Sequence, residues 1–271
     1  MNQLIQEFQP VQTLLLLCLQ KCSATSLKPC ILEPKVNTKA ALWHYRLGHP
    51  SEFVLDLVLK DLHVPNANKL DFYTACQDCK YCQQPFPSSM NKTSSPLQLV
   101  HSDLWGPAPL LSNEGFRYYI HFVDDFTRFT WIYPVHTKSE AKTAFLHFQS
   151  FVERQFDKKI KCLQTDWGGE YQRLLPYLNQ VGIAFSHPCP HTHQQNGKAE
   201  KKTDSYVGLT FLAQARMPLQ YRWDSFSTVV YLINRLPTPV VNHLSPFEVL
   251  FKQKPNYHFL KSFSCACYLL L

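Results

Sequence analysis

Residues 97–106 read LQLVHSDLWG, residues 116–126 FRYYIHFVDDF and residues 128–135 RFTWIYPV. Three closely spaced runs rich in β-branched and aromatic residues, bounded by Gly, Asp, Pro and Asn, predict three strands in an antiparallel meander. The next stretch, KSEAKTAFLHFQSFVERQFD (138–157), changes period: Ala141, Phe145, Phe148, Val152 and Phe156 recur at steps of three and four. That spacing makes one apolar helical face, which should pack on the sheet. Beyond it, IKCLQTD (160–166) reads as a strand and EYQRLLPYLNQVG (170–182) as a short helix interrupted at Pro176. IAFSHPC (183–189) reads as a further strand and QQNGKAEKKTDSYVGLTFLAQARM (194–217) as a long helix. Three strands, helix, strand, helix, strand, helix is a mixed α/β order, with helices covering one sheet.

Working outward, the chain has 271 residues, 45% hydrophobic and 14% aromatic. That excludes a disordered chain and suffices for one ordinary domain plus something smaller. A formal net charge of +7 raises the prospect of a polyanionic partner without identifying one. The ten cysteines are spread unevenly, and three fall within CQDCKYC (76–82). Clustered CxxC spacing without a convincing signal peptide favours metal ligation in a reducing compartment over a disulfide framework. The one export-like stretch, TLLLLCL (13–19), is too short to span a bilayer and has no Lys or Arg before it, so neither secretion nor a membrane span is expected. Residues 1–38 have no clear period and receive no assignment. Residues 39–84 hold LWHYRLGHPSEFVLDLVLKDL, an apolar-periodic helical stretch, and then the CxxC pair, as a small metal-stapled module. Residues 85–96, rich in Pro and Ser, form a linker. The α/β core is expected over 97–256, leaving 257–271 as a C-terminal extension that is cut short.

Within the core, Asp103 sits in the first strand, Asp166 ends the strand after the long helix, and Glu200 lies in the helix that opens with QQNG. Singly, the first two read as turn, cap or strand-end acids, and Glu200 as one charge on a solvated helix face. Together, three carboxylates without a cation would repel and raise one another's pKa, so the set makes sense chiefly as a cage for Mg²⁺ or Mn²⁺. Two such ions about 3.5–4 Å apart can drive displacement at a phosphodiester. In the upstream module, His44 and His49 together with Cys76 and Cys79 have the spacing of a tetrahedral Cys₂His₂ zinc site, structural in role. Cys79 and Cys82 also form a CxxC, so spacing alone leaves the cysteine pair open.

From Leu42 onward the chain resembles the pre-integrase and integrase-core segment of copia-type retrotransposon polyproteins. The motifs that carry the resemblance are LWHYRLGHPS, CQDC, HSDLWGP, FVDDFTRFTWIYPV, TDWGGEY, QQNGKAE, YLINRLPTPV and SPFEVLF, in that order. The resemblance implies a ribonuclease H-like integrase core and a D,D,E triad on Asp103, Asp166 and Glu200, with 33 residues between the last two. It implies zinc on His44, His49, Cys76 and Cys79. It sets Gln195 and Asn196 near a DNA end, and it gives Asp124 and Asp125 a structural role. Lys198, Lys201 and Lys202 adjoin Glu200 and are the first candidates for phosphate contacts, ahead of Trp105 and Trp167, since such aromatics are more often core. The implied activity is metal-dependent DNA cleavage and strand transfer with two Mg²⁺ or Mn²⁺ ions. The implied partners are element cDNA ends, target DNA and further copies of the chain, in the nucleus and in cytoplasmic virus-like particles.

Three departures from the family pattern point to a fragment or a decayed copy. Family members usually have Asn or Gly where this chain has Trp167, and a ring there is expected to crowd the metal carboxylates. The run KKTDSYVGLT is two positions shorter than usual and carries Asp204. The chain also stops at CYLLL. The shortened helix predicts that Val207, Leu209, Phe211 and Leu212 re-pack on the sheet in a changed register, with a kink at Gly208 and weak or absent strand joining. The alternative to an active integrase is therefore a non-catalytic nucleic-acid-binding relic. A third reading, a ribonuclease H-like RNA nuclease, is disfavoured by QQNG and the paired histidines and cysteines.

Overall fold

A computed structural model describes residues 39–64, 93–187 and 202–264. The three meander runs form β1 (Val100–Trp105), β2 (Tyr118–Asp124) and β3 (Thr130–Val135), antiparallel to one another as expected. After helix α3 (Ala141–Phe156) the chain returns for β4 (Cys162–Gln164), which pairs parallel with β1. Two short helices, α4 (Gly169–Gln172) and α5 (Leu175–Val181), lead to β5 (Ala184–Ser186), parallel to β4. The sheet order is β3-β2-β1-β4-β5. This is the mixed sheet expected of a ribonuclease H-like core. The break between α4 and α5 falls at Arg173 and Leu174 rather than at Pro176. Pro176 lies in the first turn of α5, where its missing N–H would have had no helical partner anyway.

One face of the sheet carries the core that the helical period foretold. Phe145, Phe148 and Val152 of α3 are fully buried against Ile120 and Phe122. The rings of Phe122 and Phe148 stack with centroids 4.2 Å apart. Tyr171, Leu174 and Leu178 close the same cluster from α4 and α5.

The opposite face carries a second core, to which the upstream stretch also contributes. Helices α6 (Lys202–Ala215) and α7 (Arg222–Ile233) pack together. Phe211, Val229 and Leu232 share one buried cluster with Trp43, Leu47, Leu55, Val58 and Leu59. Those last five come from the upstream stretch, folded as α1 (Lys39–Arg46) and α2 (Glu52–Asp61). Tyr257 and Leu260 join the cluster, and the Tyr257 hydroxyl donates to the Arg235 carbonyl at 2.8 Å. The upstream helices and the start of the C-terminal segment thus belong to the packing of the core. A last short helix, α8 (Pro246–Phe251), is capped by the Ser245 hydroxyl, which accepts from the Glu248 amide.

Helix α6 does not re-pack on the sheet, and it runs unbroken through Gly208. Leu209 is 41% exposed, whereas Phe211 and Leu212 are buried. At Gly208 the two helices approach closely. A Cβ there would press into the Phe226 ring edge, and the Ser225 hydroxyl donates to the Gly208 carbonyl at 2.6 Å. Helix α7 in turn is tied to the sheet at both ends. The Asn234 side chain exchanges two hydrogen bonds with the Thr130 backbone, at 2.7 and 2.8 Å. Twelve ångströms or so up the helix, Phe226 packs on Tyr119 and Trp105. Since Val123 pairs with Thr130 and Trp105 ends β1, α7 runs antiparallel to β1, with its N-terminus at the strand's C-terminal end.

Candidate active site and histidine pair

Asp103 lies in β1, half-buried, opposite His121 of β2. Asp166 follows β4 by two residues and is exposed; its Oδ1 accepts from the Gly168 amide at 3.1 Å. In the parallel β1–β4 pairing Val100 stands beside Leu163 and His101 beside Gln164. Two more steps along both chains bring Asp103 level with Asp166, one interstrand spacing of about 4.8 Å apart if the chain stays extended. An independent observation agrees. The Tyr171 hydroxyl, fully buried and 2.7 Å from the Ser102 hydroxyl, is pushed well above its ordinary pKa by burial and then by the charges of Asp103, Asp166 and Glu170. The Ser102 hydrogen bond pulls the other way. Both acids, 63 positions apart in the chain, therefore bear on one point at the C-terminal ends of β1 and β4.

The third acid expected here, Glu200, lies outside the described residues, as do Gln195, Asn196, Lys198 and Lys201. Lys202 opens α6, but nothing of its side chain is described. Among the described residues no group of three or more His, Cys, Asp or Glu stands in a metal-holding arrangement. Asp103 and Asp166 are nonetheless the hard oxygen donors that a divalent cation such as Mg²⁺ or Mn²⁺ takes. Sequence reasoning passed over Glu170 and Tyr171. Their only signal was position in TDWGGEY, where a turn of helix brings Tyr171 back beneath Asp166. The Glu170 carboxylate folds over Gly168, where a Cβ would meet its Cδ at 2.8 Å, and its Oε1 lies 4.0 Å from the Lys138 ammonium.

The neighbouring pair Asp124 and Asp125 is structural, as the resemblance implied. Asp124 accepts from the Leu97 amide at 2.7 Å and from the amide and hydroxyl of Thr127 at 2.8 and 2.7 Å. It thereby closes the β2–β3 turn. Burial, the largest influence, raises its pKa against those hydrogen bonds. Asp125 binds His101 at 3.1 Å, Arg128 at 3.3 Å and the Thr93 hydroxyl at 2.9 Å.

Trp167 does not crowd the acids. Its ring packs on His187 and Phe185, with centroids 4.5 and 5.5 Å away on the β5 side. Its φ is +67°, in the left-handed region that Gly and Asn adopt at least cost. That backbone demand is the physical reason Asn or Gly suits the position.

His44 and His49 come together at the turn after α1. Their ring centroids are 4.9 Å apart, edge to face, and His44 is buried. Gly48, at φ +74°, makes the turn and leaves no room for a side chain: a Cβ would meet Phe211 at 2.9 Å and Leu232 at 3.1 Å. Two imidazoles so placed fit half of a tetrahedral zinc site. Cys76, Cys79 and Cys82 lie outside the described residues. His49 Nε2 is also 2.8 Å from Gln214 Oε1, which anchors the pair to α6.

Two family descriptions match this chain: the GAG-pre-integrase domain over residues 14–84 and the integrase core domain over residues 93–193. Between them they cover most of the chain, and the second spans all five strands and both described acids. The relatives are of one kind. The Retrovirus-related Pol polyprotein from transposon RE2 of Arabidopsis thaliana is 46% identical over 231 residues, 83% of this chain and 16% of that protein. The chain belongs to the copia-type retrotransposon Pol family. A second family member, the Pol polyprotein from transposon RE1 of the same plant, is 40% identical over 90% of this chain and 17% of its own length. The chain thus spans about a sixth of the length of these copia-type polyproteins. Among solved structures it is similar to the simian T-cell lymphotropic virus intasome in complex with PP2A regulatory subunit B56 gamma, with a TM-score of 0.48 and 16% identity over 82% of this chain and 76% of that one. No helix among the described residues is long and apolar enough to cross a membrane.

Proposed function

We propose that this chain carries the integrase chemistry of its element: divalent-metal-dependent cleavage at a DNA phosphodiester and transfer of the resulting 3′ end to target DNA. What supports the reading is that Asp103 in β1 and Asp166 just beyond β4 follow strands paired in parallel, and that the charges of both act on the buried Tyr171 hydroxyl. Asp103, Asp166 and Glu200, which precedes α6 by two positions in the sequence, would hold Mg²⁺ or Mn²⁺. Bound there, two such ions activate an attacking oxygen and stabilise the departing one. The protein's own part is to fix the carboxylates. Asp103 is held by its pairing with His121 of β2, and Asp166 by its turn hydrogen bond from the Gly168 amide. Gln195, Asn196, Lys198, Lys201 and Lys202 would meet the DNA, and the net charge of +7 supports a polyanionic partner. His44 and His49 with Cys76 and Cys79 would bind a structural zinc. Assembly of several copies on cDNA ends, and residence in the nucleus and in cytoplasmic particles, are part of the same proposal.

The test is strand joining by the purified chain on a duplex bearing the element's terminal sequence, with Mg²⁺ or Mn²⁺, beside Asp166→Asn. Metal-dependent joining abolished in the variant is the expected result. DNA binding without joining, equal in both proteins, would instead favour the non-catalytic relic.

A further inference from the structure

Arg222 is the first residue of α7 and only 6% exposed. Its Nε is buried without a hydrogen-bond partner, and no carboxylate among the described residues pairs with its guanidinium. The group stands 5.6 Å from the centre of the Trp105 ring, and burial draws its pKa down. A buried cation so placed costs free energy that ring contact recovers only in part, and an anion alongside would remove the deficit. The side chain lines an open cavity of about 260 Å³, counted with its solvent-facing space, together with Arg117, Phe116, Tyr118 and Trp223. Arg117, a second cation, is exposed at the rim. The N-terminus of α7, a helix of 12 residues, opens here with no side-chain cap.

Position in the fold selects the kind of anion. Because α7 runs antiparallel to β1, Arg222 sits at the strand end toward which Asp103 points the chain. Asp103 and Trp105 are two residues apart, hence on one face of β1 and about 7 Å from each other. A group held by Arg222 above Trp105 would lie roughly 10–15 Å from the carboxylates, about three to four nucleotides along a strand whose charges repeat every 3.4 Å of duplex axis, and fewer when the strand is extended. From this geometry we infer that Arg222 and Arg117 form a phosphate site that grips the backbone of the DNA strand entering the active centre. The inference rests on the integrase reading of Asp103 and Asp166.

The test measures binding of a labelled duplex with a short single-stranded end by fluorescence anisotropy, across salt concentrations, for the unaltered chain, Arg222→Leu, Arg222→Lys and Arg117→Ala. Thermal melting with and without inorganic phosphate is run on each. Loss of one phosphate contact should lower the slope of log affinity against log salt by about 0.7–0.9 in Arg222→Leu, with affinity down several-fold at moderate salt. Arg222→Lys should keep the slope, and Arg117→Ala should lower it. The stabilisation by phosphate should vanish in Arg222→Leu even if that variant melts higher in its absence, because the leucine relieves an unpaired buried charge. DNA binding with the same slope in all four proteins, and an unchanged phosphate shift, would overturn the phosphate site and leave the integrase reading standing. Failure of the unaltered chain to bind DNA at all, with the phosphate shift intact, would instead overturn the assignment of that site to DNA and the integrase reading with it.

Discussion

Gly208→Ala should destabilise the protein although alanine is the better helix former. The new Cβ would fall against Cδ1 and Cε1 of Phe226, inside the 3.0 Å that real Cβ contacts essentially never show, and 3.3 Å from Cγ. The ring cannot swing clear. It is 2% exposed and stands 5.0 Å from the Tyr119 ring and 5.9 Å from that of Trp105. Helices α6 and α7 must therefore separate by roughly an ångström, at an overpacking cost of about 1–3 kcal/mol. Stretching the 2.6 Å bond from Ser225 to the Gly208 carbonyl adds about 1 kcal/mol. Alanine's helix propensity returns about 1 kcal/mol. The net loss is about 1–3 kcal/mol, a fall in Tm of about 3–10 °C for a chain of this size. Circular dichroism melting would read it, and a Gly208→Ala/Phe226→Leu double variant should recover part of the loss, since the leucine vacates the ring edge. Equal or higher stability of Gly208→Ala would refute the argument, because it would mean that propensity alone governs this position and that the two helices do not meet there.

At Trp167, where φ is +67°, Trp167→Gly should be about 1 kcal/mol more stable than Trp167→Ala in urea unfolding, since both lose the ring contacts but only alanine keeps the left-handed strain. Burial lowers the His121 pKa from 6.5 to about 4, so the unfolded chain takes up that proton first as the pH falls. Its contribution is fully present above pH 6.5 and is lost by degrees toward pH 4, up to about 3 kcal/mol, and His121→Leu should flatten the stability profile over that window. Native mass spectrometry should find one zinc per chain, absent from a Cys76→Ser/Cys79→Ser variant; zinc retained by that variant would show that Cys82 or another residue supplies the thiolates.

The order of elements was legible because each rests on a local period. Alternation in FRYYIHFVDDF makes a strand whatever lies beside it, and Phe145, Phe148 and Val152 share a helical face by spacing alone. The chain's own residues likewise singled out Asp103 and Asp166, and the histidine pair, by type and neighbourhood. Misreadings fell where a long-range contact decides. Gly208 reads as a weak point in a lone helix, whereas Phe226, 18 positions on, makes it a close contact between two. Trp167 reads as an obstruction beside Asp166 until its backbone turns left-handed and sends the ring toward His187.

What the amino-acid sequence determined by itself is therefore the mixed α/β order and the family, which rest on local periods and short motifs. Tertiary structure alone decided that the strands carrying Asp103 and leading to Asp166 lie side by side, since that depends on the parallel pairing of β1 and β4. It also decided that α1 and α2 pack with α6 and α7, because an apolar stripe announces that it must be buried without naming the surface that buries it. The same holds for Arg222. In sequence it is one cation among 27 Lys and Arg residues, and only the fold buries it and sets its guanidinium over the Trp105 ring.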